Sequence, residues 1–171
     1  PSTLSSGQET ASEWILLLNN DTCVETDFIA SLKLILAPKK GIVGIPMHEN
    51  GQVVYCGKIE WLKPTLSHIN NMLNIGCLTY AVGGAVAIHR DVFEKNGFLD
   101  EKYFLYFEDA DYTIRARRAG IPISIAPDVM IYHNVSSSTK KLGSPLLLRY
   151  HYRNTLYFNR KNGPWHIKTL I

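Results

Sequence analysis

The sequence is short of cysteine, and this shortage limits the classes of protein that it can belong to. Its 171 residues include three cysteines, Cys23, Cys56 and Cys77, and no two of them form a CxxC pair. The odd number and wide spacing indicate neither a disulfide framework nor a zinc knuckle. They favour a reducing compartment, and we predict a cytoplasmic protein.

Strong net charge and long apolar runs are also lacking. Lys and Arg number 18 against 15 Asp and Glu, so the formal net charge is only +3. This balance excludes the dense basic surface of a nucleic-acid-binding protein, although it suits anionic small molecules or an anionic membrane surface as partners. No apolar run approaches the length that a membrane-spanning helix requires. The hydrophobic fraction of 46% is that of an ordinary globular protein with one core.

The opening stretch PSTLSSGQETASE, residues 1–13, is polar and lacks an initiator methionine. We expect a loop here. Because a fully apolar segment follows at once, as in the middle of a protein, we also expect an upstream region in a longer protein. The rest divides into a larger part over residues 14–143 and a C-terminal amphipathic helix with its tail over residues 144–171.

Strand and helix patterns then alternate. WILLL (14–18) and GIVGIP (41–46) predict strands, and the uninterrupted apolar character of WILLL predicts burial on both faces of a largely parallel sheet. A surface helix is predicted over TDFIASLKLILAP, where it ends before Pro38. QVVYCGKIEWL (52–62) predicts a hairpin or a bulged pair of strands.

The second half continues this alternation. LTYAVGGAVAIHR predicts a strand or a strand and loop, DVFEKNG a short helix, and the segment from about Glu108 to Gly120 a longer helix. IPISIAP and VMIYHN predict short strands, and SPLLLRYHYRNTLYFNRKNGP predicts a final helix capped by Ser144. Strands alternating with helices indicate an α/β fold, with a mixed, mostly parallel sheet flanked by helices.

Three carboxylates, Glu108, Asp109 and Asp111, lie in the segment FLYFEDADYTIRARRAG (104–120). In the first turn of a helix such acids favour the positive end of the dipole, and Asp111 can pair with Arg115 four residues later. One acid is enough for that purpose. Adjacent Glu108 and Asp109 repel each other beside apolar residues, which raises a carboxylate pKa and produces a candidate general base. The segment alone leaves both interpretations open.

Polar residues also follow two of the predicted strands. Asn19, Asn20 and Asp21 lie at the carboxyl end of WILLL, where ligands bind in open α/β sheets. Asn and Asp also serve in ordinary turns, so this signal is weak alone. His133 ends an apolar stripe on VMIYHN, where a histidine is more often a satisfied core residue than a ligand.

The glycine pair and the final helix are less specific. Gly83 and Gly84 permit either tight packing or the close approach of a substrate. Basic and aromatic residues interleave from Arg149 to Lys161. The simpler interpretation is a docking helix whose aromatic side chains lie in the core, and the alternative is peripheral contact with an anionic membrane surface.

Taken in order, these segments resemble the family 2 inverting glycosyltransferases of the GT-A fold, particularly their bacterial and archaeal rhamnosyltransferase-like branch. The likeness runs from about Trp14 to about Pro164. WILLLNNDT is similar to the strand that carries the family's DxD-type metal motif. VGGAVAIHRDVFEKNGFLDEKYFLYFEDADYTIRARRAG is similar to its long acceptor-side signature, and IAPDVMIYH supplies the proline and the distal histidine.

The resemblance implies transfer of a sugar, with inversion, from a nucleotide-diphosphate sugar to a hydroxyl of a glycan or lipid-linked acceptor. It implies that Asp109 is the base that takes the acceptor proton. Glu108, Asp111, Gly83 and Gly84 would orient the acceptor or support this side of the site. Such work in polysaccharide assembly would place the protein in the cytoplasm, at the inner face of the membrane.

The resemblance also implies a donor side of the site. Asn19, Asn20, Asp21 and His133 would face the donor diphosphate. Asp21 and His133 would hold a divalent cation, Mn²⁺ or Mg²⁺, which neutralises the departing diphosphate.

The sequence departs from the family pattern in two places. Asn19 stands where the DxD-type motif has its first aspartate, so a contact to ribose or metal there is neutral or absent. The family's nucleotide-binding half has no counterpart in residues 1–13, so we expect an incomplete domain that forms a homo-oligomer or pairs with its own missing segment. A non-catalytic binding or scaffold domain is the alternative function, and a metal-dependent hydrolase is a distant third.

Overall fold

The computed structural model describes residues 12–74, 79–133 and 144–171. Its helices are α1 (Phe28–Leu36), α2 (Arg90–Asn96), α3 (Glu108–Arg118), α4 (Ser144–Asn162) and α5 (Trp165–Lys168). Its strands are β1 (Trp14–Leu18), β2 (Thr22–Val24), β3 (Ile42–Gly44), β4 (Met47–Glu49), β5 (Gln52–Val54), β6 (Cys56–Lys58), β7 (Ser67–Ile69), β8 (Thr79–Tyr80), β9 (Ala85–His89), β10 (Ile123–Ile125) and β11 (Ile131–His133). One 3-10 turn covers Met72–Asn74.

The strands form three sheets, ordered β1-β9-β3-β10, β2-β11-β4-β5 and β7-β6-β8. This mixture of sheets and helices agrees with the predicted α/β class. The predicted mostly parallel sheet is wrong, because among the described pairings only β3 with β10 and β4 with β11 are parallel. In the first sheet β9 runs antiparallel to both of its neighbours, β1 and β3.

The first sheet lies between two apolar layers. On β9, Ala85 and Ala87 belong to the layer that contains α1, whereas Val86 and Ile88 belong to the layer of α2 and α3. This alternation places both faces of a fully buried strand in the core. Polar side chains of this sheet therefore lie where its strands end.

The predicted helices are present, with ends set by the expected residues. In α1, Phe28, Leu32 and Leu36 recur every fourth residue and are buried, and the helix ends just ahead of Pro38. α2 ends at a glycine with φ of +68°, as the Asn-Gly pair predicts. α4 ends immediately before the glycine and proline at 163–164.

β1 forms where predicted, but the prediction that it is buried on both faces is wrong. Ile15 is 44% exposed and Leu18 is 38% exposed. In the described part of the chain β1 pairs only with β9, at the edge of the first sheet. Leu16 and Leu17 pack against opposite core layers, so the strand is half-covered rather than enclosed.

β5 pairs with β4, whereas the sequence predicted a hairpin or a bulged pair of strands within residues 52–62. Asn50 and Gly51 have φ values of +48° and +79°, as a type I′ turn requires, and they join β4 to β5. β6 pairs with β7 and β8 in the third sheet. The hairpin therefore lies upstream of Cys56, because the Asn-Gly turn fixes its position.

Some sequence predictions fall outside this description. Cys77 and residues 1–11 lie outside the described residues. Cys23 and Cys56 are free thiols, the first exposed and the second buried. Within the described ranges, no helix has the length and apolar character needed to cross a membrane.

Candidate active site

A cavity of about 540 Å³ opens where strand ends of the first two sheets meet the start of α3. Eight of the nine site residues predicted from the sequence line it: Asn19, Asn20, Asp21, Gly83, Gly84, Glu108, Asp109 and His133. The ninth, Asp111, is not part of its wall.

Strand pairing explains this convergence. Asn19 follows β1 and Gly84 precedes β9, and the Asn19 N–H donates to the Gly84 carbonyl at 3.0 Å. His133 ends β11, where it pairs with Thr22, the residue directly after Asp21. Residues more than a hundred positions apart thus meet at neighbouring strand ends, where ligands bind in open α/β sheets.

His133 lies between two carboxylates. Its Nδ1 is 2.5 Å from Glu49 Oε1, and its Nε2 is 3.1 Å from Asp21 Oδ1. Nε2 also lies 3.2 Å from Asn19 Nδ2, an amide nitrogen that can only donate. With Nε2 accepting from Asn19 and the Nδ1–H donating to Glu49, two of the three contacts are hydrogen bonds, and the contact with Asp21 has no proton.

The spacing of Asp21 and His133 also suits a divalent cation. Nε2 and Asp21 Oδ1 lie 3.1 Å apart, and a cation between them would take the Nε2 lone pair that Asn19 contacts. Two ligands at right angles, each about 2.1 Å from an octahedral ion, stand about 3 Å apart. The Glu49–His133 contact is the carboxylate–histidine pairing that commonly orients a metal-binding imidazole.

The cation would have few protein ligands. In the ranges 12–74, 79–133 and 144–171, no group of three or more His, Cys, Asp or Glu side chains is arranged as a metal site. Asp21 and His133 together could contribute two ligands to a cation.

Glu108 and Asp109 begin α3 and line the cavity. Asp109 accepts two backbone hydrogen bonds, from the Gly83 N–H to Oδ2 at 2.9 Å and from the Ala110 N–H to Oδ1 at 2.7 Å. Glu108 Oε2 is buried and has no hydrogen-bond partner among the described residues. One carboxylate is thus held in place by the backbone, and the other has an unsatisfied oxygen.

Both glycines allow close packing at this site. A Cβ on Gly83 would stand 3.2 Å from the Cβ of Asp109, and a Cβ on Gly84 would stand 2.7 Å from the Sδ of Met47. The missing side chain at position 83 lets the carboxylate of Asp109 reach the backbone N–H. These contacts agree with tight packing, and both glycines also line the cavity, where a substrate could approach them.

Burial raises the pKa of both carboxyl groups. For Asp109 the backbone hydrogen bonds from Gly83 and Ala110 act in the opposite direction, because they stabilise the charged form. For Glu108, burial first and then the charge of Asp109 raise the pKa to about 7. At neutral pH Glu108 is therefore partly protonated beside Asp109, whose own pKa is raised by burial, and such perturbed pairs are typical of functional sites.

The raised pKa of Glu108 predicts a stability gain on its replacement. The unfolded chain loses this proton near the ordinary pKa of 4.5, whereas the folded protein keeps it until about pH 7. Stability therefore falls as the pH rises from about 4.5 through 7, because ionisation is harder in the folded state. We expect Glu108→Gln to increase the free energy of unfolding at pH 8 by about 1–3 kcal/mol and to change it little at pH 4.5.

Urea unfolding at both pH values measures this effect. Glu94→Gln is the matched control, because Glu94 is exposed on α2 and should give no gain at either pH. An equal effect of Glu108→Gln at the two pH values would show that the carboxyl group does not titrate as described.

Asp111 lies in the core. It is fully buried, its Oδ2 accepts from Arg115 Nε at 2.8 Å, and its Oδ1 accepts from Asn162 Nδ2 at 2.7 Å. Lys161 Nζ lies 2.9 Å from the same carboxylate. The structure thus shows the i, i+4 pair that the sequence suggested, and this network ties α3 to α4. It offers no access for the acceptor contact that was predicted for Asp111.

The turn before α3 is strained. Tyr106 and Phe107 have φ values of +69° and +74°, in the left-handed region that non-glycine residues seldom adopt. Asn154 on α4 is fully buried, and its Nδ2 donates to the carbonyls of Leu105 at 2.5 Å and Tyr106 at 3.0 Å. α4 therefore stabilises the turn that directly precedes Glu108 and Asp109 and so positions both carboxylates at the cavity.

Sequence reasoning missed several side chains of the cavity wall, among them Glu49, His68, Tyr106 and His151. For Glu49 a signal existed, because the Asn-Gly pair that follows it predicts a hairpin and places it at a strand end. For His151 no local signal exists, since its position depends on how α4 packs.

Comparison of the chain with known proteins finds distant relatives that are sugar transferases. No protein-family model matches the chain. Over 175 aligned residues, covering 95% of the chain, it is 23% identical to the dTDP-rhamnosyl transferase RfbF of Shigella flexneri. Its curated relatives are sugar transferases. The chain spans 58% of the length of that relative.

Two further relatives match shorter stretches. The chain is 31% identical over 81 residues to the low-salt glycan biosynthesis hexosyltransferase Agl10 of Haloferax volcanii, covering 47% of the chain and 26% of the relative. It is 26% identical over 83 residues to an N-acetylglucosaminyl-diphospho-decaprenol L-rhamnosyltransferase of Mycobacterium tuberculosis, covering 48% of the chain and 27% of the relative. All three relatives are named for the transfer of a hexose or a rhamnose.

Proposed function

We propose that this chain carries the catalytic and acceptor side of a family 2, GT-A-type glycosyltransferase that uses a nucleotide-diphosphate sugar and inverts the anomeric carbon. One observation supports this more than any other. A backbone-held carboxylate, Asp109, and a carboxylate–imidazole pair, Asp21 and His133, line the same cavity. The first suits proton removal and the second suits a diphosphate bound through a cation, and the relatives are sugar transferases.

In the proposed reaction an acceptor hydroxyl attacks the anomeric carbon of the donor sugar. The new carbon–oxygen bond forms as the bond from that carbon to the diphosphate breaks, and the hydroxyl proton passes to Asp109. Gly83 and Ala110 hold this carboxylate by backbone N–H groups, so its free lone pairs are aimed by the fold. The nucleoside diphosphate leaves with the bonding electrons.

Asp21 and His133 would hold the divalent cation, Mn²⁺ or Mg²⁺. Bound there, it would offset the charge that develops on the departing diphosphate. Through its contact with Nδ1, Glu49 would fix the orientation of the His133 ring when the cation is bound. Asn19, which replaces the first acid of the DxD-type motif, contributes a neutral amide at this place.

The relatives suggest the substrates. One is named for a dTDP-rhamnosyl group and another for N-acetylglucosaminyl-diphospho-decaprenol. We therefore propose dTDP-rhamnose as the first donor to test and a glycan or lipid-linked sugar as acceptor. Action in the cytoplasm at the inner face of the membrane, and association with a second copy, belong to the same proposal.

The test is acceptor-dependent release of dTDP. The full protein is incubated with dTDP-rhamnose, MnCl₂ and a panel of sugar acceptors, and the products are separated by mass spectrometry. A product heavier than its acceptor by one sugar supports the proposal. Absence of both transfer and donor hydrolysis across a panel of nucleotide sugars would favour a non-catalytic domain.

A variant at His133 tests the cation pair separately. We expect His133→Ala to weaken binding of dTDP in the presence of MnCl₂ by about tenfold or more, since one of two protein ligands and its carboxylate support are lost. Titration calorimetry of dTDP with and without MnCl₂ measures this. His166→Ala, an exposed histidine on α5, is the control. Equal dTDP affinity of wild type and His133→Ala in MnCl₂ would refute the role of His133.

A further inference from the structure

Two side chains that line the cavity each have a buried polar atom without a hydrogen-bond partner among the described residues. These atoms are Glu108 Oε2 and His151 Nδ1, on α3 and α4 respectively. A buried polar atom left unpaired destabilises the fold, so native proteins seldom keep one without a use. Because both side chains line one cavity, a polar ligand bound there is a candidate partner for these atoms.

The hydrogen bonding of His151 fixes what its free atom can do. The ring forms a hydrogen bond with the backbone of Pro64, which has no N–H, so the carbonyl accepts and the ring donates. Because Nδ1 is the nitrogen without a partner, the donor is Nε2. Burial also lowers the pKa of His151, which keeps the ring neutral. Nδ1 is therefore a bare acceptor that needs an O–H or N–H from a ligand.

The surroundings hold this acceptor rigidly. The rings of His151 and Tyr106 stack with centroids 3.8 Å apart and an angle of 15° between their planes. Asn154, one turn later on α4, donates through its Nδ2 to the carbonyls of Leu105 and Tyr106. The imidazole, the tyrosine ring and the turn that carries Glu108 thus form one pre-organised wall.

We propose that His151 and Glu108 form an acceptor subsite in which Nδ1 of His151 and Oε2 of Glu108 bind hydroxyl groups of a sugar. The inference rests on the proposed function and extends it to α4. A sugar hydroxyl both donates and accepts, so it can pair with the bare nitrogen and with either protonation state of Glu108. Glu108 adjoins Asp109 in sequence, which puts this wall on the side where the acceptor proton is removed.

Two substitutions at His151 separate its two nitrogens. Gln places its amide near Nε2 and keeps the bond to Pro64 but removes the acceptor at Nδ1, whereas Asn keeps a polar atom near Nδ1. We expect His151→Gln to raise the acceptor KM about tenfold, the loss of about 1.4 kcal/mol, and His151→Asn to recover part of it. Binding of dTDP in MnCl₂ should be unchanged in both.

A spectroscopic measurement tests the subsite without turnover. In the full protein labelled with ¹⁵N-histidine, the Nδ1 signal of His151, assigned by its loss in His151→Gln, should be that of an unprotonated nitrogen. It should shift on addition of the methyl glycoside of N-acetylglucosamine or rhamnose and stay unchanged with dTDP.

The outcomes separate this inference from the proposed function. If neither glycoside shifts the Nδ1 signal, the two atoms bind only a buried water and the subsite is overturned. A shift caused by MnCl₂ alone would also overturn it. So would an acceptor KM that is unchanged in His151→Gln. If no nucleotide sugar is used but the glycosides still shift Nδ1, the proposed function fails and the sugar subsite stands.

Discussion

Asp109→Asn should lower sugar transfer by about 10²–10⁴-fold at neutral pH while the protein stays folded. An amide cannot take the proton of the attacking hydroxyl, so the displacement loses its base. The fold should survive, because Asn keeps the volume of Asp and its oxygen can still accept one of the two backbone N–H groups, from Gly83 or Ala110. Removal of a buried charge also offsets the lost hydrogen bond.

The neighbouring carboxyl serves as the internal comparison. Removing the charge of Asp109 should lower the pKa of Glu108 from about 7, since that charge is one of its two raising causes. A ¹³C titration of Glu108 in wild type and Asp109→Asn measures this shift. Near wild-type turnover in Asp109→Asn would show that Asp109 is not the base. A greater loss of turnover in Glu108→Gln than in Asp109→Asn would show that Glu108 is the base instead.

The second large effect concerns stability. Asp111→Ala should lower the free energy of unfolding by about 3–5 kcal/mol, the usual cost of removing one partner from a buried charged network. The fully buried carboxylate pairs with both Arg115 and Lys161. Without it Arg115 loses its carboxylate and keeps the carbonyls of Asn96 and Phe98, whereas Lys161 keeps Asp100. Hydrogen bonds to Asp100 and Asp111 raise the pKa of Lys161 although burial opposes it, so this lysine stays charged.

Urea unfolding at pH 7 measures the effect, with Asp128→Ala as the control. Asp128 is an exposed carboxylate in the loop before β11, so its removal should change stability by less than about 0.5 kcal/mol. Comparable small losses in both variants would show that the α3–α4 network is not a stabilising connection. A large loss in Asp111→Ala would show that this acid stabilises the fold, although it does not face the cavity.

Local signals in the sequence predicted helices well and strand neighbours poorly. Phe28, Leu32 and Leu36 mark one face of α1, and Pro38 sets its end, so nothing beyond the segment is needed. The apolar run at 14–18 predicts a strand but not its partner. An uninterrupted run suits a central parallel strand and an antiparallel edge strand alike, and β1 proved to be the latter in the described chain.

The cavity shows the same division between local and long-range information. The acids that begin α3 could be picked out from their own segment, because adjacent carboxylates beside aromatic residues are unusual. The 3.1 Å approach of Asp21 to His133 depends on the pairing of β2 with β11, which no local pattern reveals, and only the family resemblance suggested it. Asn154 and His151 act through the packing of α4, so sequence spacing alone could not assign them.

The anomeric configuration of the first product tests the proposed single displacement most directly. Proton NMR spectra recorded while the full protein turns over dTDP-β-L-rhamnose with an accepted sugar would show which anomer forms before any equilibration. With Asp109 as base and one displacement, the first signal should be that of the α-linked rhamnoside. A β-linked first product would show retention and would contradict the mechanism.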